Sequence, residues 1–270
     1  FIQMNVRLLS WNINSVRLRI SALKKVVKKF KPNIVCLQET KCPNELFPFN
    51  DLEKLGLSNI YVNGIKGYHG VCIATDLPVK KVEQKDFCGK HDGRHISLQL
   101  KVKNNLFNIH NFYVPAGGDE PDPKINDKFK HKLDFLDEAT TYMKTKEKNA
   151  YTALVGDLNI APHENDVWSH KQLLKIVSHT PVEVEKLNKF QSSINFIDSL
   201  REFHPLSEKL YSWWSYRSKN WEESDRGRRL DHIWITQKLN KIITKASIEK
   251  DVRRWERPSD HSPLIADFKF

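Results

Sequence analysis

The sequence predicts a mixed α/β protein on three observations. Short apolar runs recur from one end to the other, two stretches carry the apolar stripe of a helix, and two neighbouring runs are joined by a connection of hairpin length. Val6 to Trp11 opens the chain as a strand, so Phe1 to Ser10 do not resemble a secretion signal. Residues 16 to 30 follow as a helix with Val16, Ile20, Leu23, Val27 and Phe30 on one stripe and Lys24, Lys25, Lys28, Lys29 and Lys31 on a solvated face. Ile34 to Gln38 and Gly70 to Thr75 are the next strands. Ile96 to Val102 and Leu106 to Val114, separated by Lys103, Asn104 and Asn105, form an antiparallel hairpin and argue against a purely parallel doubly wound sheet. A second helix runs from Asp122-Pro123, a cap followed by Pro in the first turn, through Ile125, Phe129, Leu133 and Leu136. Thr152 to Val155, Tyr211 to Tyr216, Leu230 to Ile235 and Pro263 to Phe268 complete the strands. No repeat, low-complexity stretch or linker divides residues 1–270, which read as one domain; Phe1-Ile2-Gln3 ahead of Met4 read as an extraneous tail or an unusual start.

Composition removes several classes. With 270 residues, 39% of them hydrophobic, ten Gly and twelve Pro, the chain suits an ordinary core and not a collagen-like, disordered or repeat protein. No run approaches the roughly 18 apolar residues of a membrane span, so a soluble, cytoplasmic protein with no membrane partner is expected. Cys36, Cys42, Cys72 and Cys88 contain no CxxC pair and are too sparse for a disulfide scaffold, which suits a reducing compartment. Lys and Arg number 44 against 33 Asp and Glu, a formal charge of +11 that favours a polyanionic partner through counterion release. Charge alone also describes a solubilising surface. Its position has to decide.

Polar residues gather at the margins of the apolar runs. Asn12, Glu39, Asp157 with Asn159, Asp231, and Asp260-His261 each sit beside one, where a carboxylate or amide loses hydration unless a cation or hydrogen-bond partner compensates. If the sheets bring these edges together, Asn12, Glu39, Asp157, Asn159 and Asp260 make an oxygen-rich nest beside one imidazole. Such a nest suits Mg²⁺, or Mn²⁺ in its place, better than zinc. Taken singly, each element has a plainer reading: Gly156-Asp157-Leu158-Asn159 as a strand-ending turn, Glu39 as a partner for Lys41, His261 as a strand cap, Trp213 and Trp214 as core. Gly64, Gly67 and Gly70 read as turns, and there is no Walker lysine motif, GxSxG or HExxH.

The ordered set Leu9-Ser10-Trp11-Asn12-Ile13-Asn14-Ser15-Val16-Arg17, Leu37-Gln38-Glu39-Thr40-Lys41, Asn111-Phe112-Tyr113-Val114-Pro115, Gly156-Asp157-Leu158-Asn159-Ile160-Ala161-Pro162, Arg229-Leu230-Asp231 and Ser259-Asp260-His261-Ser262-Pro263 resembles the exonuclease III family of apurinic/apyrimidinic endonucleases over residues 5–270. Tyr211 to Ser218, then Arg226-Gly227 and Asp231, resemble its bacterial branch. The resemblance implies a four-layer α/β sandwich, two facing mixed β-sheets flanked by helices. It also implies a monomeric Mg²⁺-dependent nuclease that cuts 5′ to abasic sites in double-stranded DNA and clears blocked 3′ ends. By the same resemblance Glu39 is the principal metal ligand with Asn12 and Asp260 nearby; Asp157, Asn159 and His261 also face the metal site. Asp157 orients or deprotonates water, Asn159 holds Asp157, Asp231 fixes the tautomer of His261, and Tyr113 donates to the scissile phosphate. Arg94 matches a phosphate contact, while Trp213 and Leu230 match the wall of a pocket for an extruded, base-less sugar.

Two positions depart from the pattern: Ala116 where the family usually has an amide, and Ser215 where a close bacterial relative has Asp. They bear on phosphate gripping and on the balance of activities. A DNase I-like nuclease, an inositol-polyphosphate phosphatase or a sphingomyelinase shares the Glu, Asp-x-Asn and Ser-Asp-His elements, and a nucleic-acid binder without catalysis is the reading from another class. Tyr113, the Trp213 motif and the positive charge favour DNA over inositol phosphate, and the intact carboxylates argue against a pure binder.

Overall fold

The structure, a computed structural model, describes residues 2–270. The chain first lays down β1 (Asn5–Asn12), β2 (Ile34–Gln38), β3 (Asn59–Asn63) and β4 (Val71–Thr75). It then builds β5 (Val79–Glu83), β6 (His95–Val102), β7 (Asn105–Tyr113), β8 (Tyr151–Asp157), β9 (Ile197–Asp198) and β10 (Asp231–Ile235), and returns with β11 (Ile243–Ile248) and β12 (Leu264–Lys269). These make two six-stranded sheets, ordered β11-β12-β1-β2-β4-β3 and β5-β6-β7-β8-β10-β9. Both are mixed: β1 with β2 and β7 with β8 run parallel, and their other neighbours run antiparallel. The helices are α1 (Ile20–Phe30), α2 (Phe49–Glu53), α3 (Asp127–Met143), α4 (His170–Leu173), α5 (Pro181–Ser192), α6 (Ser199–Phe203), α7 (Trp221–Ser224) and α8 (Gln237–Asn240).

Strand alternation sets the layers. In β1, Val6 and Leu8 point to one face and join Ile34, Cys36, Ile109, Val155 and Ile233 in a core between the sheets, whereas Leu9 and Trp11 point outward to Leu23, Val26 and Val27 of α1. On the far side Phe112, Leu154 and Trp234 meet Phe135 and Leu136 of α3 and Leu187 and Phe190 of α5. The result is helix, sheet, sheet, helix, the four-layer sandwich expected. Among the described residues no helix is long and apolar enough to cross a membrane.

Three local expectations change. Helix α1 begins at Ile20, not at residue 16: Val16 is buried in the preceding turn while Leu18 is exposed. The second helix starts at Asp127, because Asp122 spends its carboxylate on Lys124 N in a turn and Asn126 takes over the cap by accepting from Lys128 N. Tyr211 to Tyr216 is no strand. Its amides bond to two partners in succession, Ser212 and Trp213 to Arg228 O and Trp214 to Asp260 O, so no regular ladder forms.

Candidate active site

The strand ends place the polar residues. In the second sheet Tyr113, Asp157 and Asp231 lie opposite one another in register across β7, β8 and β10, in one row at one end of the sandwich. Across from them the first sheet supplies Asn12 at the end of β1, Glu39 just past β2, and Asp260-His261 just ahead of β12. The row depends on Gly156, whose φ of +140° and whose 1.9 Å separation between a hypothetical Cβ and Phe112 O admit no side chain. Glu39 and Asn159 hold left-handed backbones, φ 55° and 53°, at the ends of the strands that carry the site.

Hydrogen bonds knit two groups together. Asn12 Nδ2 donates to Glu39 Oε2 and to Asp157 Oδ2, both at 2.8 Å, and Tyr113 OH donates to the same Glu39 oxygen at 3.1 Å. Lys41 Nζ lies 3.1 Å from Glu39 Oε1, the pairing the sequence allowed. In the second group His261 Nδ1 is 2.7 Å from Asp231 Oδ2 and His261 Nε2 is 3.6 Å from Asp157 Oδ2. Burial works against the His261 cation, but Asp231 and Asp157 outweigh it and hold its pKa well above the usual imidazole range. Burial pushes the Asp157 carboxyl upward, with Asp231 and Glu39 acting the same way against His261 and Asn12. Tyr113 is raised by burial and by the Glu39 and Asp157 charges, which keeps it a phenol and therefore a donor.

Several predicted residues take contacts other than those expected. The Asn159 backbone N–H, not its amide, reaches Asp157 Oδ1 at 3.0 Å; the side-chain amide donates to Val114 O. Asp260 accepts from Asn14 Nδ2 and from Trp213 Nε1. Arg94 is turned inward: its guanidinium donates to Asp92 Oδ2, to Tyr113 O and to His69 Nε2, and it lies 5.2 Å from the Tyr113 ring centre. Arg94→Ala is therefore expected to slow turnover about 10–100-fold by loosening Tyr113. It should leave the slope of log affinity against log salt unchanged, and a slope flatter by roughly one would put the guanidinium on a phosphate instead.

A cleft of about 860 Å³ is lined by Glu39, Tyr113, Asp157 and His261 together with Trp213 and Leu230. Trp213 is half-buried with Arg228 stacked 5.3 Å from its ring, whereas Trp214 is core and donates to Asp225 Oδ1. Ala116 and Ser215 both line the cleft. Sequence reasoning missed Ser212, which donates to Asp231 Oδ2 at 2.7 Å while accepting from the Leu230 and Asp231 amides. It also missed Lys132, whose ammonium is wholly buried and holds the Asn159 and Ala116 carbonyls.

The donor set fits a hard divalent cation. Four carboxylates, Glu39, Asp157, Asp231 and Asp260, share this end with two amides, and Asp231 Oδ1 is buried without a hydrogen-bond partner. Among the described residues one acid and imidazole group has its ligand atoms within 4.8 Å, namely Asp157, Asp231 and His261; Asp231 and His261 hold each other, which leaves Asp157 of the three free for a cation.

Residues 9–261 match the Endonuclease/Exonuclease/phosphatase family. The chain belongs to that family. Among curated family members, exodeoxyribonuclease III of Haemophilus influenzae is 31% identical over 98% of this chain and 100% of its own length. An AP endonuclease from Archaeoglobus fulgidus has a structure that superposes with a TM-score of 0.89 at 30% identity, covering 97% of this chain and 99% of that one. The 3′ phosphatase NExo from Neisseria, bound to a product DNA hairpin, gives 0.89 at 25% identity over 98% and 100% of the two chains. These likenesses put the chain on the exonuclease III side of the Endonuclease/Exonuclease/phosphatase family, among phosphodiester hydrolases.

Proposed function

We propose that this chain is a monomeric, cytoplasmic Mg²⁺-dependent DNA repair nuclease, one domain throughout. It hydrolyses the phosphodiester 5′ to abasic sites in double-stranded DNA and also removes 3′ nucleotides and 3′ phosphates. The reading rests on one observation above the others: the in-register row of Tyr113, Asp157 and Asp231, with His261, beside a cleft that Trp213 and Leu230 also line. The names of the relatives, an exodeoxyribonuclease, an AP endonuclease and a 3′ phosphatase, point the same way.

Glu39, Asp157 and Asp260, with Asn12, would hold the divalent ion, which when bound supplies charge neutralisation at the phosphate and the leaving oxygen. The protein's own groups do the rest. Asp157, raised toward neutrality by burial, accepts the proton of the attacking water. Its carboxylate is aimed by the Asn12 amide and the Asn159 N–H. His261 carries a positive charge that Asp231 orients and sustains, and it faces the phosphate oxygens as charge builds there. Tyr113 gives its phenol proton to a phosphate oxygen as a hydrogen bond. Trp213 and Leu230 offer an apolar face that suits a deoxyribose with no base attached.

The assay that tests this compares an abasic duplex, an intact duplex and inositol polyphosphates with Mg²⁺ present. Internal cleavage restricted to the abasic strand, 5′ to the lesion, is expected, with the intact duplex losing nucleotides only from its 3′ ends, and release of phosphate from inositol polyphosphate alone would refute the reading. Trp213→Ala should cost about 1–3 kcal/mol in abasic-site cleavage and less in 3′-phosphate removal, where filling the pocket matters less. Trp213→Phe, which keeps an aromatic face but cannot donate to Asp260, separates the two contributions. Equal losses in a variant with an unchanged melting curve would place the pocket elsewhere.

A further inference from the structure

The positive charge of the chain is not in the cleft. Arg217, Arg226, Arg228 and His261 line it, but so do the four carboxylates of Glu39, Asp119, Asp157 and Asp260, so the lining carries no positive surplus. Part of the surplus lies at the opposite end of the second sheet. There the segments 101–105, 144–150 and 236–242 connect the far ends of β6, β7, β8 and β10 and hold seven lysines against one carboxylate, Glu147. Three of those lysines, Lys148, Lys238 and Lys241, converge with Asn149, Asn195 and Gln237 on a concave site of about 250 Å³ that no carboxylate lines. Lys148 and Lys241 are exposed, and Lys238 is steadied over the Tyr151 ring at 4.6 Å.

We propose that this lysine end is a second nucleic-acid-binding face, which takes a separate duplex segment by its phosphates while the cleft holds the first. Ammonium groups interleaved with amides, with no bases to read, match a sequence-independent phosphate contact. A membrane surface fits less well. The three segments contain no aromatic residue, Val102 and Leu239 are buried, and Ile242 packs against the core, so no apolar face is available to enter a bilayer. Strand geometry requires the segment to be separate. The seven residues of β8 put the lysine end about 20 Å behind Asp157 and facing away from it, and duplex DNA, with a persistence length of about 50 nm, does not fold back over that span. The protein therefore bridges two duplexes, or two distant parts of one, whichever bond the cleft cuts.

The test uses an immobilised duplex of about 20 base pairs and a second, fluorescent duplex at low salt with the metal chelated, so that nothing is cleaved. The wild-type protein should carry fluorescent duplex onto the immobilised one. The triple variant Lys148→Gln, Lys238→Gln, Lys241→Gln should lose that capture by a factor of about 10 or more. The slope of log capture against log salt should fall by about 2–3, as expected for three phosphate contacts. Turnover of a short abasic duplex should stay within about twofold. No capture by the wild type, equal capture by the folded triple variant, or stronger binding to phosphatidylserine vesicles than to duplex would each overturn the proposal. Capture without abasic cleavage would overturn the nuclease assignment alone and leave the second face standing.

Discussion

Asp157→Asn should cut turnover on an abasic duplex by at least about 10³-fold while duplex affinity holds or rises. The substitution keeps the shape of the side chain but removes the proton acceptor. It also turns one oxygen into an N–H₂ group: Asp157 Oδ2 now accepts from Asn12 Nδ2 and Oδ1 from Asn159 N, so the amide must leave one of those donors unmatched. Affinity moves the other way because a negative charge disappears from the place where phosphate sits. The melting temperature should change little, since relief of a carboxylate that burial, Asp231 and Glu39 disfavour offsets the unmatched donor and the lost pairing with His261. Single-turnover cleavage and filter binding on one preparation decide the matter, and near-native turnover would remove Asp157 from the chemistry.

Lys132→Met carries the largest expected effect on stability. The ammonium is completely buried and donates to Glu183 Oε1 at 2.6 Å, Asn159 O at 2.8 Å and Ala116 O at 3.1 Å; Glu183 in turn accepts from Ser178 N, Thr180 N and Thr180 Oγ1. Removing one member leaves the other charge buried and unpaired, a loss of about 3–5 kcal/mol. For a chain of this size that is a fall in melting temperature of roughly 6–20 °C. Adding Glu183→Gln, which keeps acceptors for the Ser178 and Thr180 amides, should recover part of the loss. If the double variant melts no higher than Lys132→Met, the pair is not the source of the effect. Turnover should drop in both, because the Asn159 carbonyl loses its anchor.

The strand ends were legible because each is an abrupt change from apolar to acid or amide: Leu37-Gln38-Glu39 and Val155-Gly156-Asp157 announce both a buried strand and the polar group at its tip. Edge strands were not. Val79-Lys80-Lys81-Val82-Glu83 carries the lysines that protect an edge, and they erase the alternation that would have revealed β5. Helix α5 hid for another reason. Its apolar stripe is weak, but Thr180-Pro181-Val182-Glu183 is a capping box with Pro in the first turn, a start signal that was there to be used. Lys132 had a signal too, a cation in phase with Phe129, Leu133 and Leu136 on the apolar face of a helix. Ser212 had none, since a serine beside tryptophans says nothing about a carboxylate that lies 19 residues away. Nor could sequence show that Arg94 faces inward, because that depends on where Asp92 and His69 end up.

The pairing of β1 with β12, Asn5 to Ser10 against Lys269 to Leu264, has a consequence for how the protein is made. Asn12 emerges from the ribosome well ahead of Asp260 and His261, which reach it only when the segment leading into β12 docks beside β1. Until then the nascent chain carries Glu39, Tyr113 and Asp157 with no imidazole opposite them. On the role proposed for His261, a nuclease built this way becomes competent only when β12 closes the first sheet.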